Sequence, residues 1–319
     1  MRLTVTALAP CLAAACSFDA YDIRLAARDA TVSDAPDASD ALVIDAVTGP
    51  VASSASCTPT AAPGCGRARI TGGTFVLGST EAWDSDAPPP GRATPLQRNI
   101  TVSTFVLDRY EVTVGRFRRF VEDTAAPRGL WTRTADDLRA DCNWTPTAGD
   151  REAHPINCVD WDAAQAFCAW DVPGGSLPTE AQLELAARGT TARRWPWATA
   201  ERLVPAWVCW DRMVPMRLGT CVVDDPDYAR GQSPEGVWHL VGNVSEWTAD
   251  LYAGYGNDLC WGDRPRVDPR CVSGTEDFPT VRKGAWTDGD VTSLLPGARW
   301  KQSRLYRHAA VGFRCAAPR

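Results

Sequence analysis

The chain has 319 residues, of which 45% are hydrophobic and 23% charged, a composition typical of a globular protein. Its net charge of −6 disfavours a nucleic-acid partner, because proteins that bind nucleic acids carry basic surfaces. No apolar run reaches the roughly 18 residues that a membrane-spanning helix needs. The 12 cysteines favour an oxidising compartment over the reducing cytosol.

Residues 1–15 have the pattern of a secretory signal peptide. Arg2 precedes an apolar stretch that ends in three alanines directly before Cys16. Small residues before a cysteine are typical of bacterial lipoprotein signals, so we expect a lipid on Cys16. The protein would then be secreted across the inner membrane and held in the cell envelope by this anchor. An ordinary signal peptide cleaved nearby is the alternative.

Residues 16–56 are predicted to be a disordered, acidic tether. Alanine, serine and aspartate dominate this segment, and seven aspartates against two arginines give it a net charge of −5. Such a composition buries too little apolar surface to offset the entropy lost on ordering. The globular part, residues 57–319, is therefore close to neutral.

Strands and a helix are expected early in the globular part. Residues 73–78 favour a short strand, and residues 101–112 favour a second strand because their apolar residues alternate. A helix is predicted after Thr113, since the apolar residues that follow fall on one face: Val114, Phe117, Phe120 and Val121.

Two further helices are predicted before the chain becomes irregular. One covers residues 162–170 with Asp162 as its cap, and the other begins after Thr179. Thr179 and Gln182 form a capping-box pattern, and Gly189 marks the C-terminal stop. The pattern as a whole predicts a single compact α+β domain with little regular structure.

Seven motifs of this sequence occur in an order that resembles the formylglycine-generating enzyme (sulfatase-modifying factor) family. The resemblance covers about residues 65–319 and implies a C-type-lectin-like, disulfide-rich fold. The motifs are Gly-Gly-Thr-Phe-Val-Leu-Gly-Ser at 72–79, Tyr-Glu-Val-Thr at 110–113, Ser-Leu-Pro-Thr-Glu-Ala-Gln at 176–182, Trp-Pro-Trp at 195–197, Val-Gly-Asn-Val-Ser-Glu-Trp at 241–247, Arg-Lys-Gly-Ala-Trp at 282–286 and Val-Gly-Phe-Arg-Cys at 311–315.

The resemblance also identifies a departure from the family's chemistry. Active members oxidise a sulfatase cysteine with oxygen and copper(I), a soft ion held by two cysteines shortly after the Arg-Gly-Gly block. Here no cysteine lies between Cys271 and Cys315. We therefore expect no copper and no catalytic residue, and predict a non-catalytic binding or scaffold module. The alternative is an oxidoreductase of the same type with a different metal site.

A calcium site is a further implication of the resemblance. Gly242 and Val244 would supply carbonyl oxygens, and Glu246 a carboxylate. His239 stands at the fourth position and departs from the family pattern, because calcium prefers oxygen ligands. The alternative is that hydrogen bonds and packing alone hold this turn.

The resemblance places a ligand groove on the C-terminal part of the chain. Aromatic residues beside arginines suit a peptide or a glycan, which can stack on rings and bond to guanidinium groups. The alternative is that these side chains pack the domain. The groove residues are Trp286, Asp288, Asp290, Arg299, Trp300, Arg304, Tyr306 and Arg307.

Ten cysteines remain when Cys11 and Cys16 are set aside, an even number that fits five disulfides. The resemblance implies the long-range pair Cys168–Cys315. Eight cysteines still allow 105 connectivities, among which sequential pairing is favoured. It joins Cys57–Cys65, Cys142–Cys158, Cys209–Cys221 and Cys260–Cys271.

Overall fold

The computed structural model describes residues 54–57, 62–79, 81–82, 97–124, 141–197, 202–213, 219–257, 260–261, 266–273 and 277–318. All of them belong to one compact unit, residues 49–319. The signal peptide, Cys16 and the tether up to residue 53 lie outside the described residues. Among the described helices, none is long and apolar enough to span a bilayer.

Within these ranges the strands are short and form three small sheets. The sheets have the strand orders β1-β4-β10, β2-β3-β6 and β8-β7-β5-β9. The first sheet pairs the C-terminal strand with strands from the beginning of the domain. The strands are β1 (Arg67–Ile70), β2 (Gly73–Leu77), β3 (Gln97–Val102), β4 (Phe105–Asp108), β5 (Ser245–Leu251), β6 (Arg266–Val267), β7 (Pro279–Arg282), β8 (Arg299–Lys301), β9 (Val311–Gly312) and β10 (Ala316–Ala317).

The single strand predicted over residues 101–112 is wrong, because the chain turns between β3 and β4. The carboxylate of Asp268 accepts hydrogen bonds from the backbone nitrogen of Ser103 at 2.6 Å and from its hydroxyl at 2.7 Å. Thr104 accepts a further bond from the backbone nitrogen of Gly72 at 3.0 Å. These contacts end β3 and direct β4 into a different sheet. The strand predicted at 73–78 corresponds to β2.

Four helices connect these sheets in the described part of the chain: α1 (Val114–Thr124), α2 (Trp161–Asp171), α3 (Glu180–Arg188) and the short α4 (Val291–Leu294). Helix α1 buries Phe117 and Phe120, as its periodicity predicts. Helix α3 has the predicted capping box, in which Thr179 accepts from the Gln182 nitrogen and Gln182 accepts from the Thr179 nitrogen. Gly189 ends the helix with a φ of 60°.

The cap predicted for α2 is off by two residues. Asp160, not Asp162, accepts a hydrogen bond from the backbone nitrogen of Ala163, at 2.9 Å. Asp162 lies in the first turn of the helix and is exposed. A carboxylate in the first turn still interacts favourably with the helix dipole, so the two aspartates have similar sequence signals but different roles.

Five disulfides hold the domain, and each pair coincides with one expected from the sequence. The Cys168–Cys315 bridge joins α2 to the C-terminal segment across 147 residues of sequence. An aromatic cluster packs beside it, with the Phe117 and Phe167 rings 5.8 Å apart and the Phe167 and Phe313 rings 5.5 Å apart. The other bridges are Cys57–Cys65, Cys142–Cys158, Cys209–Cys221 and Cys260–Cys271.

Candidate functional site

A buried ion pair between Glu246 of β5 and Arg314 lies beside the Gly-Asn-x-x-Glu-Trp turn. Arg314 donates from Nη2 to Oε1 of Glu246 at 2.7 Å and from Nε to Oε2 at 2.9 Å. Its Nη1 and Nη2 also reach four backbone carbonyls, two at the end of β4 and two in the turn before β5. Those carbonyls belong to Asp108, Arg109, Trp238 and His239. One guanidinium therefore joins three segments to the C-terminus.

The backbone of this turn needs unusual conformations. His239, Gly242 and Asn243 all have positive φ, at 52°, 91° and 59°. A Cβ at Gly242 would lie 2.5 Å from Cγ1 of Val208, so glycine is required there. The Asn243 side chain accepts from the backbone nitrogen of Cys221 at 2.9 Å. The turn is thus fixed by local conformation and by the neighbouring Cys209–Cys221 loop.

Two titratable side chains are enclosed beside Arg314. Burial, opposed by Arg314, raises the pKa of Glu111 to about 8, so this carboxyl group is mostly neutral at pH 7. Burial, with the nearby Arg314 charge, lowers the pKa of His239 to about 3, so its ring is uncharged. Glu246 and Arg314 are the charged pair of this cluster, and their charges cancel.

The four residues predicted to hold calcium lie on this turn, but they fit the ion poorly. Both carboxylate oxygens of Glu246 accept from Arg314, and the His239 carbonyl accepts from the same guanidinium at 3.4 Å. The His239 side chain offers nitrogen, whereas calcium takes six to eight oxygens. Gly242 and Val244 would add only backbone carbonyls. These contacts weigh against the calcium site that the resemblance implies, and adding calcium to the protein tests it.

Two members of the predicted groove are in the core. Trp286 is 1% exposed, packs among the Cys142–Cys158 and Cys209–Cys221 bridges, and donates from Nε1 to the Ala309 carbonyl at 3.1 Å. Arg299 is completely buried and donates to Glu180 at 2.8 Å. Neither side chain can line an open groove, because long-range partners enclose both.

The two half-buried rings of the predicted groove, Trp300 and Tyr306, form a row with the ring of His308, which the groove prediction did not include, and a lysine lies at one end. The Trp300 and Tyr306 rings meet edge to face at 5.9 Å, and His308 stacks on Tyr306 at 5.6 Å. Nζ of Lys283 lies 5.2 Å from the Trp300 ring. We call Trp300, Tyr306 and His308 the ring row. Trp300 and Tyr306 are the aromatic members of the predicted groove that remain partly accessible.

The charged members of the predicted groove are engaged within the domain. Arg304 lies 3.3 Å from Asp162 and 3.2 Å from Asp277, and Arg307 pairs with Asp160. The aspartates have structural roles: Asp290 caps α4 by accepting from the Thr292 nitrogen, and Asp288 accepts from the Ala285 nitrogen. These charged residues therefore lie near the ring row, but their side chains hold loops in place through bonds within the domain.

A buried charge network under α3 was missed by the sequence reasoning. Glu180 accepts from Arg299 and from Arg282, and Glu184 accepts from Arg282 at 2.6 Å. The Arg299 guanidinium also lies 4.2 Å from the ring centroids of both Tyr252 and Tyr255. The available signal was the spacing of Glu180 and Glu184, four residues apart, which places two carboxylates on one helix face.

Asp250 lies against this network. Its carboxylate accepts from the backbone nitrogens of Glu180 at 2.8 Å and Cys271 at 2.7 Å. Burial, reinforced by the charge of Glu180, raises its pKa to about 7. The group therefore changes its protonation near neutral pH.

The cysteines leave no thiol in the described domain. All ten, from Cys57 to Cys315, are in disulfides. Across the described ranges, no group of three or more His, Cys, Asp or Glu side chains is placed to hold a metal ion.

Comparison with known proteins identifies the fold family. Residues 55–318 match the model of the sulfatase-modifying factor enzyme 1-like domain. The chain belongs to this family. Relatives in the family are the formylglycine-generating enzymes of Streptomyces coelicolor, 28% identical over 79% of this chain and 88% of that protein, and of Thermomonospora curvata, 30% identical over 79% and 93%. The inactive C-alpha-formylglycine-generating enzyme 2 of Bos taurus is 28% identical over 60% of this chain and 72% of that protein.

Solved structures show the same sulfatase-modifying factor fold. PvdO from Pseudomonas aeruginosa superposes with a TM-score of 0.58 and 21% identity, covering 79% of this chain and 94% of that one. CarF gives a TM-score of 0.52 and 19% identity, covering 80% and 98%. The family thus contains proteins named as enzymes and proteins named as inactive, so membership alone does not decide whether this chain is catalytic.

Proposed function

We propose that this sulfatase-modifying factor domain is a non-catalytic binding or scaffold module. The state of its cysteines carries the proposal. All ten cysteines from Cys57 to Cys315 are bridged, and the sequence has none between Cys271 and Cys315. The segment after the Arg-Lys-Gly block therefore offers no soft ligand for copper(I).

The side chains in that segment have other roles. Asp288 closes the 285–288 turn, Asp290 caps α4 and Trp286 is buried against two disulfides. Carboxylates and an indole cannot replace a pair of thiolates as copper(I) ligands. They also cannot form a mixed disulfide with a substrate cysteine. The chemistry available at this position supports recognition over oxidation.

The ring row is our candidate for the recognition surface. Trp300, Tyr306 and His308 present aromatic edges and faces, and Lys283 lies at one end, where its ammonium also pairs with Asp288 at 3.4 Å. Such a surface suits stacking with a sugar ring or with an aromatic or proline side chain of a peptide. Replacing Tyr306 with alanine should weaken binding of the cognate peptide or glycan. Replacing exposed Leu305 is the matched control, because it lies next in sequence and is 75% exposed.

We further propose that the domain is delivered to the cell envelope and held there through Cys16. The signal-like residues 1–15, the acidic tether and the five disulfides support this location together. A Cys16→Ser variant should move the protein from the membrane fraction to the soluble fraction. Unchanged membrane association of that variant would contradict the anchor.

Copper and oxygen assays test the proposal against its rival, an oxidoreductase of the same family. The similarity to proteins named formylglycine-generating enzyme favours that rival. We expect the purified protein to bind no copper(I) and to consume no oxygen with a cysteine-containing peptide. The Thermomonospora curvata relative serves as the positive control. Copper-dependent oxygen consumption by this chain would overturn the proposal.

A further inference from the structure

A cavity of about 390 Å³ opens between the C-terminal end of α3 and the loop after α4. Its walls combine apolar and charged side chains: Val76, Glu81, Arg188, Arg194, Leu295 and Pro296. Ser79 also lines it. This volume is in the range of small-molecule sites, which run from about 300 to 1,000 Å³.

Arg188, the last residue of α3, presents one edge of a fixed guanidinium to this cavity. Its Nε donates to the Arg193 carbonyl at 3.1 Å, and its Nη1 donates to the Gly78 carbonyl at 2.6 Å and to Glu184. The side chain is 13% exposed. Within the described residues, Nη2 makes no hydrogen bond, so this donor is held in place and open to a ligand.

The buried network behind Arg188 has more cations than anions. Ion pairs connect Arg188, Arg282 and Arg299 with the carboxylates of Glu180 and Glu184. Asp250, which lies beside Glu180, adds a negative charge only in its ionised fraction, because its pKa is raised to about 7. Arg282 and Arg299 are enclosed, and Arg188 is the member that lines the cavity. The excess positive charge of the network therefore makes the electrostatic potential at the cavity wall more positive.

Arg194 supplies a second guanidinium at the rim. It pairs with Glu81 at 2.6 Å, and the two side chains are 49% and 55% exposed. A solvent-exposed pair of this kind contributes little stability, so an incoming anion can replace Glu81 at small cost. Leu295 and Pro296 provide an apolar wall for the carbon chain of such a ligand.

We propose that this cavity is a carboxylate-binding site, in which Arg188 Nη2 and Arg194 hold the two oxygens of one carboxyl group. Hydrogen bonds from guanidinium groups to a carboxylate are charge-assisted, and two donors from two arginines match the two oxygens of this anion. This site names carboxylates as a class of ligand for the binding role proposed above, and the proposal rests on that role. A small organic acid and an acidic side chain of a peptide share this chemistry.

Saturation-transfer NMR on the full chain tests the proposal with succinate and its uncharged isostere succinamide. We expect succinate to bind and succinamide not to bind. Arg188→Lys keeps the charge but loses the bonds to the Arg193 and Gly78 carbonyls that hold the Nη2 donor in place, and should raise the Kd for succinate about tenfold or more. Exposed Arg202, which does not line the cavity, gives the matched control Arg202→Gln, with an unchanged Kd.

Arg194→Gln keeps the test decisive if the Arg188 variant does not fold, because Arg194 lies on the exposed rim. It should also weaken succinate binding. A blocked tripeptide with one glutamate shows whether a peptide carboxylate binds more tightly than the free acid, and binding of either supports the site. Equal binding of succinate and succinamide would overturn the proposal, as would displacement by an equal concentration of phosphate. The copper and oxygen assays do not depend on these outcomes, so failure here is distinguishable from failure of the non-catalytic role.

Discussion

Removing the guanidinium of Arg314 should destabilise the domain more than removing any exposed arginine. In an Arg314→Leu variant, Glu246 keeps its position in β5 at 5% exposure but loses all its contacts with that guanidinium. The carbonyls of Trp238 and Asp108 lose a donor as well. Breaking a buried ion pair by removing one partner costs about 3 to 5 kcal/mol. Since folded domains are stable by about 5 to 15 kcal/mol, this is a large fraction of the total.

Urea and thermal unfolding measure this effect directly. A loss of that size corresponds to a Tm lowered by about 6 to 20 °C for a domain of this length. The matched control is Arg304→Leu, which removes an arginine that is 33% exposed and paired with the exposed Asp162. That variant should lose no more than about 1 kcal/mol. Equal losses in the two variants would refute the claim that Arg314 joins the domain's segments.

Three further predictions follow from the same contacts. Asp250 has a pKa of about 7 in the folded state, so it keeps a proton that the unfolded chain releases near pH 4. Its contribution to the stability of the domain therefore declines as pH rises from 4 to 8. Asp250→Asn should reduce that slope in pH-dependent urea unfolding, and an unchanged slope would show that Asp250 is ionised throughout. Adding calcium or a chelator should shift the Tm by less than about 1 °C, because Arg314 already binds Glu246; a larger rise with calcium would indicate a site. Asp160→Ala should lower the free energy of unfolding by about 1 to 2 kcal/mol, because α2 loses its cap. Asp162→Ala should lower it by less than about 0.5 kcal/mol. The reverse order would show that Asp162 is the cap.

Local signals predicted local structure well. The Thr179 and Gln182 pair identified the start of α3, and the spacing of Phe117 and Phe120 identified the buried face of α1. Both features depend on contacts within one helical turn or on one helix face. A sequence contains all the information needed for such contacts.

Features that depend on distant partners could not be predicted in the same way. β3 ends where Asp268 binds Ser103, a contact across 165 residues. Arg299 is buried because Glu180, 119 residues away, accepts its hydrogen bond. The family resemblance placed Arg299 in an exposed groove, since nothing nearby in sequence indicates that partner. The family resemblance supplied the fold, but not which of its motif side chains are enclosed.

The bridged cysteines and the cysteine-free segment after Gly284 are the observations from which we propose that this domain is non-catalytic. Mass spectrometry of a cysteine-containing sulfatase-type peptide, incubated with the copper-loaded protein and oxygen, tests this proposal most directly. We expect the cysteine to be recovered unchanged, while the Thermomonospora curvata relative converts it under the same conditions. Conversion of the peptide cysteine to formylglycine by this chain would show that the domain is catalytic.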